Sequence, residues 1–156
     1  MYRFKHGRFA GMRMEQVFLR DAPALYEPVA WAEREDFLPD MVEEFNRLRR
    51  LLCRATISER CYQKRCHHRA TSMTLPMEYP GSLVPSPYYW CDEHSPSEET
   101  EGISQMLAID FDQIRQFGDK RSQQVMFRQI REALGISSGA RITERFAKRF
   151  FRRLAE

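Results

Sequence analysis

Long hydrophobic runs are missing from this sequence of 156 residues, and cysteine, glycine and tryptophan are scarce. No segment approaches the roughly 18 apolar residues that a membrane-spanning helix needs. The first eleven residues, MYRFKHGRFAG, lack the apolar stretch and the small-residue cleavage site of a secretory signal peptide. We therefore expect a soluble, cytoplasmic protein whose cysteines are not paired in disulfides.

Catalytic signatures are missing as well. The sequence contains no glycine-rich phosphate loop, no G-x-S-x-G and no H-E-x-x-H, and no spaced acids that resemble a D-x-E…D exonuclease core. With 42% apolar and 12% aromatic residues, the composition is that of a folded globular protein rather than a disordered one. These absences favour a protein that binds over one that catalyses.

Charge alternates in blocks along the chain. Residues 47–69 hold eight bases against one acid, and residues 120–156 hold ten bases against three acids, so each block carries a net charge of +7. Residues 15–46 and 92–119 each carry −7. Clustered Lys and Arg suit a polyanion, because binding releases counterions from phosphate. The alternative is that acidic and basic segments pair with one another within the fold.

The pattern of apolar residues predicts an α+β protein in three parts. Residues 1–52 read as a short hairpin with helices, because a basic and aromatic run lies between Gly7 and Gly11 and Met41, Phe45, Leu48 and Leu52 recur at helical spacing. Residues 53–96 contain two short predicted strands, ATSMTL (70–75) and PYYWC (87–91). Residues 103–156 predict three helices forming a helical hairpin or bundle, the first of them from Ile103 to Phe117.

All four cysteines and three of the four histidines lie between residues 53 and 94. The best ligand set is Cys61-x4-Cys66 followed, after 24 residues, by Cys91-x2-His94. Zinc prefers four thiolate or imidazole ligands in a tetrahedron, which two short-range pairs joined by a loop can supply. In a segment with little core-forming periodicity, such an ion would replace missing hydrophobic burial. The sequence therefore predicts a structural zinc site.

Three alternatives to a structural zinc site with these four ligands stay open. Cys53, His67 or His68 could replace one of the four residues, and the cysteines could also be free thiols in a reducing compartment. With three protein ligands and a water, the site could instead be hydrolytic, with Glu93 as the base.

The N-terminal segment resembles a known accessory module. The resemblance rests on FKHGRFAGM (4–12), EQV (15–17), DAPALY (21–26) and Trp31. The pattern is similar to "F-G-K-Y-K-G, then a helix, then D-P-x-Y-L-x-W", which occurs at the C-terminus of exodeoxyribonuclease X-like proteins and in short phage and bacterial proteins. It implies an accessory role and gives no catalytic residues.

The middle segment resembles the small treble-clef or ribbon-like zinc modules of phage-type proteins. The resemblance is carried by the run from Cys61 to His94, which ends in YYWCDEH (88–94). It implies a structural metal ion and no activity.

Together these features predict a non-enzymatic, zinc-stabilised protein of phage or bacterial type that binds DNA or RNA, or acts as an accessory to a protein that does. The alternative is a protein-interaction module, such as a phage factor that inhibits a host or defence complex, with the acidic blocks facing a basic target. The side chains expected to contact phosphate are Arg47, Arg49, Arg50, Arg54, Lys64, Arg65, Arg141, Arg145, Arg149, Arg152 and Arg153.

Overall fold

A computed structural model describes residues 1–53, 55, 59–79, 82–83, 88–95, 104–108, 114 and 120–156. The chain divides into two compact units. Unit 1 comprises Met1–Ala55 together with Gly139–Glu156, and unit 2 comprises Thr56–Ser138. This grouping differs from a division read linearly along the sequence, because the last helix belongs with the N-terminal segment.

Unit 1 begins with a short hairpin-like loop, as the sequence predicts. The N–H of Phe4 donates to the carbonyl of Met12 at 3.0 Å, and the N–H of Gly11 donates to the carbonyl of Phe4 at 2.9 Å. A single 3-10 turn, Gly7–Phe9, closes the loop. Gly7 and Gly11 have φ angles of +74° and +79°, in the left-handed region that favours glycine.

Four helices build the rest of unit 1: α1 (Met14–Asp21), α2 (Pro23–Arg34), α3 (Pro39–Cys53) and α5 (Glu144–Ala155). The periodicity that predicted α3 is confirmed, since Met41, Phe45, Leu48 and Leu52 are all buried. α1 packs against α2, α3 and α5.

Aromatic rings meet at the centre of unit 1. The rings of Phe18 and Phe45 are almost fully buried, with centroids 5.2 Å apart, and Phe151 of α5 meets Phe18 edge-on at 6.3 Å. Tyr26 meets Phe45 edge-on at 6.0 Å. Pairs of this kind stabilise a fold by about 0.5–1.5 kcal/mol beyond their buried area.

Polar contacts of Thr143 and Glu144 fix the start of α5. The Thr143 hydroxyl accepts from the N–H of Phe146 at 3.2 Å, which satisfies one of the free donors at the helix N-terminus. Glu144 pairs with Arg13 at 2.6 Å and with Arg3 at 3.0 Å. The apolar face of α5 packs into the core of unit 1 through the buried residues Ala147, Phe150 and Phe151.

Unit 2 contains a four-stranded antiparallel sheet and helix α4. β1 (Ser72–Tyr79) pairs with β2 (Ser82–Leu83), β3 (Tyr88–Trp90) and β4 (Ser104–Ala108). Both predicted strands are confirmed, as β1 and β3. α4 (Lys120–Ala133) buries Val125, Met126 and Ile130, and Gly135, two residues beyond its last residue, has a φ of +77°.

The prediction for the C-terminal region is partly wrong. Residues 104–108 form β4 rather than the start of a helix, because β1 offers these residues a partner strand, with Met73 opposite Leu107. The predicted helical hairpin or bundle over 103–156 does not form. Instead, α4 belongs to unit 2, and α5 packs against α1 and α3 in unit 1. The α+β class is confirmed by the five helices and the antiparallel sheet of the described residues.

None of the helices in the described part of the chain is both long and apolar enough to cross a membrane.

Candidate metal centre and basic surface

Four side chains of unit 2 converge on one point and could hold a metal ion: Cys61, Cys66, Cys91 and His94. Their ligand atoms all lie within 4.8 Å of one another. The Sγ atoms of Cys66 and Cys91 are 3.8 Å apart. His94 Nδ1 lies 3.2 Å from the Sγ of Cys91 and 3.7 Å from that of Cys61. The structure thus brings together the four residues that the spacing selected.

A turn between paired backbone segments positions the first ligand pair. Arg60 and Arg69 form an antiparallel bridge, and the N–H of Cys61 donates to the carbonyl of His68 at 3.0 Å. Within the turn, the N–H of Cys66 donates to the carbonyl of Gln63 at 3.0 Å. This local pairing points Cys61 and Cys66 at the same centre despite the wide x4 spacing.

The second ligand pair follows directly after β3. The N–H of His94 donates to the carbonyl of Cys91 at 3.1 Å, which closes a turn over the two intervening residues. The Thr71 hydroxyl donates to Asp92 Oδ1 at 2.6 Å and holds that turn against the start of β1. The pair is therefore fixed by the sheet on one side and by a side-chain bond on the other.

The environment of Cys61 favours its thiolate. Burial opposes the charged form, but N–H groups of Cys91 and Gln63 donate to the sulfur, and the pKa of Cys61 is lowered to about 7. The bond with the His68 backbone lowers the pKa of Cys66, but burial and the contacts with the sulfurs of Cys91 and Cys61 together outweigh it and raise that pKa. A thiolate is the form of cysteine that binds metal, so Cys61 is prepared for that role.

The alternative ligands lie outside the cluster. Cys53 is exposed at the end of α3 in unit 1, and His67 is exposed. His68 is also exposed and places its Nδ1 3.5 Å from Glu93 Oε2. With four protein ligands a metal site is closed, so the hydrolytic alternative with Glu93 as base would require one of the four to leave.

The segment that carries the first ligand pair is strongly basic. Arg60, Lys64, Arg65 and Arg69 are all exposed, and none forms an ion pair within the described ranges. Lys64 and Arg65 are among the side chains predicted to contact phosphate, and Arg60 and Arg69 belong to the basic block 47–69 that is predicted to bind a polyanion. Arg60 and Arg69 form the antiparallel bridge at the two ends of the turn that carries Cys61 and Cys66, and this pairing is seen only in the folded structure.

Three aromatic side chains lie beside the same ligands, and their meeting is not predicted from the sequence. Tyr62 follows Cys61, and Trp90 precedes Cys91. The ring centroids of Tyr62 and Tyr88 are 4.7 Å apart, and those of Tyr62 and Trp90 are 6.0 Å apart. Tyr62 is 65% exposed and Tyr88 is 40% exposed. We call these three residues the ring cluster.

The arginines of α3 differ in their ion pairs and in their exposure to solvent. Arg47 donates to both carboxylate oxygens of Glu44, at 2.8 and 2.9 Å, and also faces Glu15 at 3.7 Å. Arg47 is therefore paired with acidic residues within unit 1. The bond to Glu44 raises the pKa of Arg47. Arg49 is half-buried and Arg50 is exposed. Arg54 lies outside the described residues.

The predicted arginines of the C-terminal segment are exposed: Arg141, Arg145, Arg149, Arg152 and Arg153. Arg152 contacts Glu156 at 3.8 Å, and both side chains are largely in solvent, so this pair contributes little. α5 thus presents a row of cations opposite its buried apolar face. Of the acidic block 92–119, only residues 92–95, 104–108 and 114 fall within the described ranges.

No family model matches the sequence, and the searches of curated proteins and of solved structures also found no match. The resemblances to the exodeoxyribonuclease X-like accessory module and to phage-type zinc modules therefore stay predictions.

Proposed function

We propose that this chain is a zinc-stabilised nucleic-acid-binding protein without catalytic activity of its own. The observation that carries the proposal is the position of four exposed cations, Arg60, Lys64, Arg65 and Arg69, on the segment that a metal at Cys61 and Cys66 would hold in place. The ion would fix the shape of the segment, and the cations would contact phosphate.

Zinc fits the donor set and the spacing of its atoms. Three thiolates and one imidazole are typical ligands of structural zinc. With Zn–S and Zn–N bonds of about 2.3 and 2.0 Å, a regular tetrahedron separates two sulfurs by about 3.8 Å and a sulfur from a nitrogen by about 3.5 Å. The corresponding distances here are 3.8 Å for Cys66 and Cys91, and 3.7 and 3.2 Å for His94 against Cys61 and Cys91.

The charge arrangement supplies what phosphate contacts require. Phosphate contacts need cations that are exposed and not already neutralised, and the four cations of the ligand segment meet both conditions among the described residues. The exposed cations of α5 provide a second set in unit 1. By contrast, Arg47 is engaged by Glu44, and we leave it out of the proposed contacts.

The test is fluorescence anisotropy of labelled DNA and RNA oligonucleotides with the zinc-loaded protein over a series of salt concentrations. Affinity should fall steeply with salt, because each phosphate contact adds about 0.9 to the slope on B-form DNA. Replacing Arg60, Lys64, Arg65 and Arg69 together by Gln should weaken binding at low salt at least about tenfold and make the slope shallower.

A matched variant controls for the loss of four positive charges. It replaces Arg145, Lys148, Arg149 and Arg153 of α5 by Gln and leaves the ligand segment intact. A larger loss in this variant would move the nucleic-acid site to α5. Absence of binding by the unaltered protein even at low salt would reject the proposed function and favour the protein-interaction alternative.

A further inference from the structure

Two of the three side chains in the ring cluster, Tyr62 and Tyr88, are exposed, and the third, Trp90, is half-buried. Tyr62, at 65% exposure, is one of the most exposed large apolar side chains in the described residues. Tyr88 is 40% exposed, and its ring lies 6.4 Å from that of Trp90. A contiguous exposed aromatic patch of this kind marks an interaction surface.

We infer that the ring cluster binds single-stranded nucleic acid by stacking bases on Tyr62 and Tyr88. This inference rests on the proposed function and adds to it the class of nucleic acid. The faces of bases are available to side chains in single strands, whereas in a duplex they are covered by the neighbouring base pairs. Exposed rings flanked by cations therefore match a single strand better than a double helix.

Exposed cations share a short segment of the chain with Tyr62. Tyr62 is part of the segment that also carries Arg60, Lys64 and Arg65. All three of these cations are exposed. A strand whose base stacks on Tyr62 would thus have its phosphates within the same short segment as three positive charges. Aromatic rings and cations on one basic segment are the combination that single-strand binding uses.

The Trp90 ring and the backbone of Tyr62 are held in position before any nucleic acid binds. The Trp90 indole donates its Nε1–H to the hydroxyl of Thr74 at 2.9 Å, and Thr74 is buried. The N–H of Tyr62 donates to the carbonyl of Tyr89 at 2.7 Å, which joins the ligand turn to β3. Because these groups are already ordered, stacking of a base beside them costs less conformational entropy than stacking on groups that must first be ordered.

Tryptophan fluorescence gives a direct test of stacking. The chain has two tryptophans, Trp31 and Trp90, so a Trp31→Phe protein reports on the ring cluster alone. Zinc-loaded Trp31→Phe protein is titrated with oligo-dT, with a duplex of the same length and with inorganic polyphosphate. We expect strong quenching by oligo-dT, little by the duplex and none by polyphosphate. Equal quenching by polyphosphate and oligo-dT would overturn the inference, because polyphosphate has no bases.

Substitution of the most exposed ring separates stacking from charge. Tyr62→Leu should lower the affinity for oligo-dT about tenfold, whereas Tyr62→Phe should retain it, because the ring rather than the hydroxyl provides the stacking face. Tyr88→Leu should repeat the loss at a second ring. Zinc content and circular dichroism of each variant confirm that the fold is kept.

The outcomes distinguish this inference from the proposed function. Salt-dependent binding that is equal for single strands and duplexes, and unchanged by Tyr62→Leu, would overturn the stacking inference and leave nucleic-acid binding standing. No binding of any oligonucleotide at low salt would overturn both.

Discussion

The backbone N–H of Tyr62 donates to the carbonyl of Tyr89 at 2.7 Å. Tyr62 is the residue after Cys61, and Tyr89 is two residues before Cys91. This bond joins the two halves of the candidate metal centre. It also brings the ring of Tyr62 beside the rings of Tyr88 and Trp90, which both belong to β3. The metal ligands and the ring cluster therefore share one backbone framework, and loss of the metal should disturb both.

Cys91→Ser should release the metal and destabilise unit 2. A buried structural ion contributes folding free energy directly, so we expect a loss of several kcal/mol, on the order of that contribution. The measurement is zinc content by mass spectrometry together with thermal denaturation. Cys53→Ser is the matched control, because Cys53 is an exposed cysteine outside the cluster. A Cys91→Ser protein that keeps both its zinc and its Tm would reject the ligand assignment.

Cobalt substitution should report three sulfurs and one nitrogen in a tetrahedron. Co2+ takes the same geometry as Zn2+ in such sites, and its visible absorption reports geometry and thiolate ligation. His94→Cys should retain binding and raise the sulfur-to-cobalt absorption, because a fourth thiolate replaces the imidazole. His68→Ala, a change at an exposed histidine outside the cluster, should leave the spectrum unaltered. An octahedral spectrum in the unaltered protein would contradict the site.

Glu44→Gln should destabilise unit 1 at neutral pH and have little effect in acid. The bond from Arg47 lowers the pKa of Glu44 below its ordinary value of 4.5, although burial opposes the shift. A lowered pKa means that this stabilisation is present above about pH 4.5 and is lost as the pH falls further. We expect a loss of about 1–3 kcal/mol at pH 7 in urea denaturation.

Glu43→Gln is the control for that change, because Glu43 is the exposed neighbour on α3. Its effect should stay within about 0.5 kcal/mol. An equal loss from both substitutions would show that the buried bond between Glu44 and Arg47 contributes nothing specific.

Glu15→Gln should have the opposite sign. Burial and the nearby Glu44 raise the pKa of Glu15, while Arg47 and Arg13 oppose the shift. Its Oε2 is buried and has no hydrogen-bond partner in the described structure. With a raised pKa, the favourable contribution belongs to the protonated carboxyl and is lost as the pH rises.

A neutral amide at position 15 should therefore stabilise the protein at pH 7 by about 1 kcal/mol and change little at acid pH. The check is a pair of urea denaturation curves at the two pH values. Destabilisation at pH 7 would mean that the contact of Glu15 with Arg47, at 3.7 Å, outweighs the cost of its burial.

Local sequence signals predicted the elements whose cause is local. α3 follows from apolar residues at helical spacing. β4 could not be predicted this way, because Met106 and Leu107 are compatible with helical spacing and only pairing with β1 makes the segment a strand. The place of α5 in unit 1 depends on contacts such as that of Phe151 with Phe18, which are remote in sequence.

The candidate metal centre was predictable because zinc sites have characteristic ligand spacings. The ring cluster was not, since Tyr62 and Tyr88 are far apart in the sequence and meet only through the pairing of Tyr62 with Tyr89. The engagement of Arg47 did have a sequence signal, namely Glu44 three residues earlier on the same helix.

We propose that a zinc ion at the Cys61, Cys66, Cys91 and His94 cluster holds the nucleic-acid surface in shape. The most direct test is the affinity of one protein sample for a labelled single-stranded oligonucleotide before zinc removal, after it, and after zinc is restored. We expect affinity to fall at least about tenfold on removal and to return with zinc, because the ligand segment loses its fixed geometry. Tight, salt-dependent binding that persists unchanged without zinc would contradict the claim.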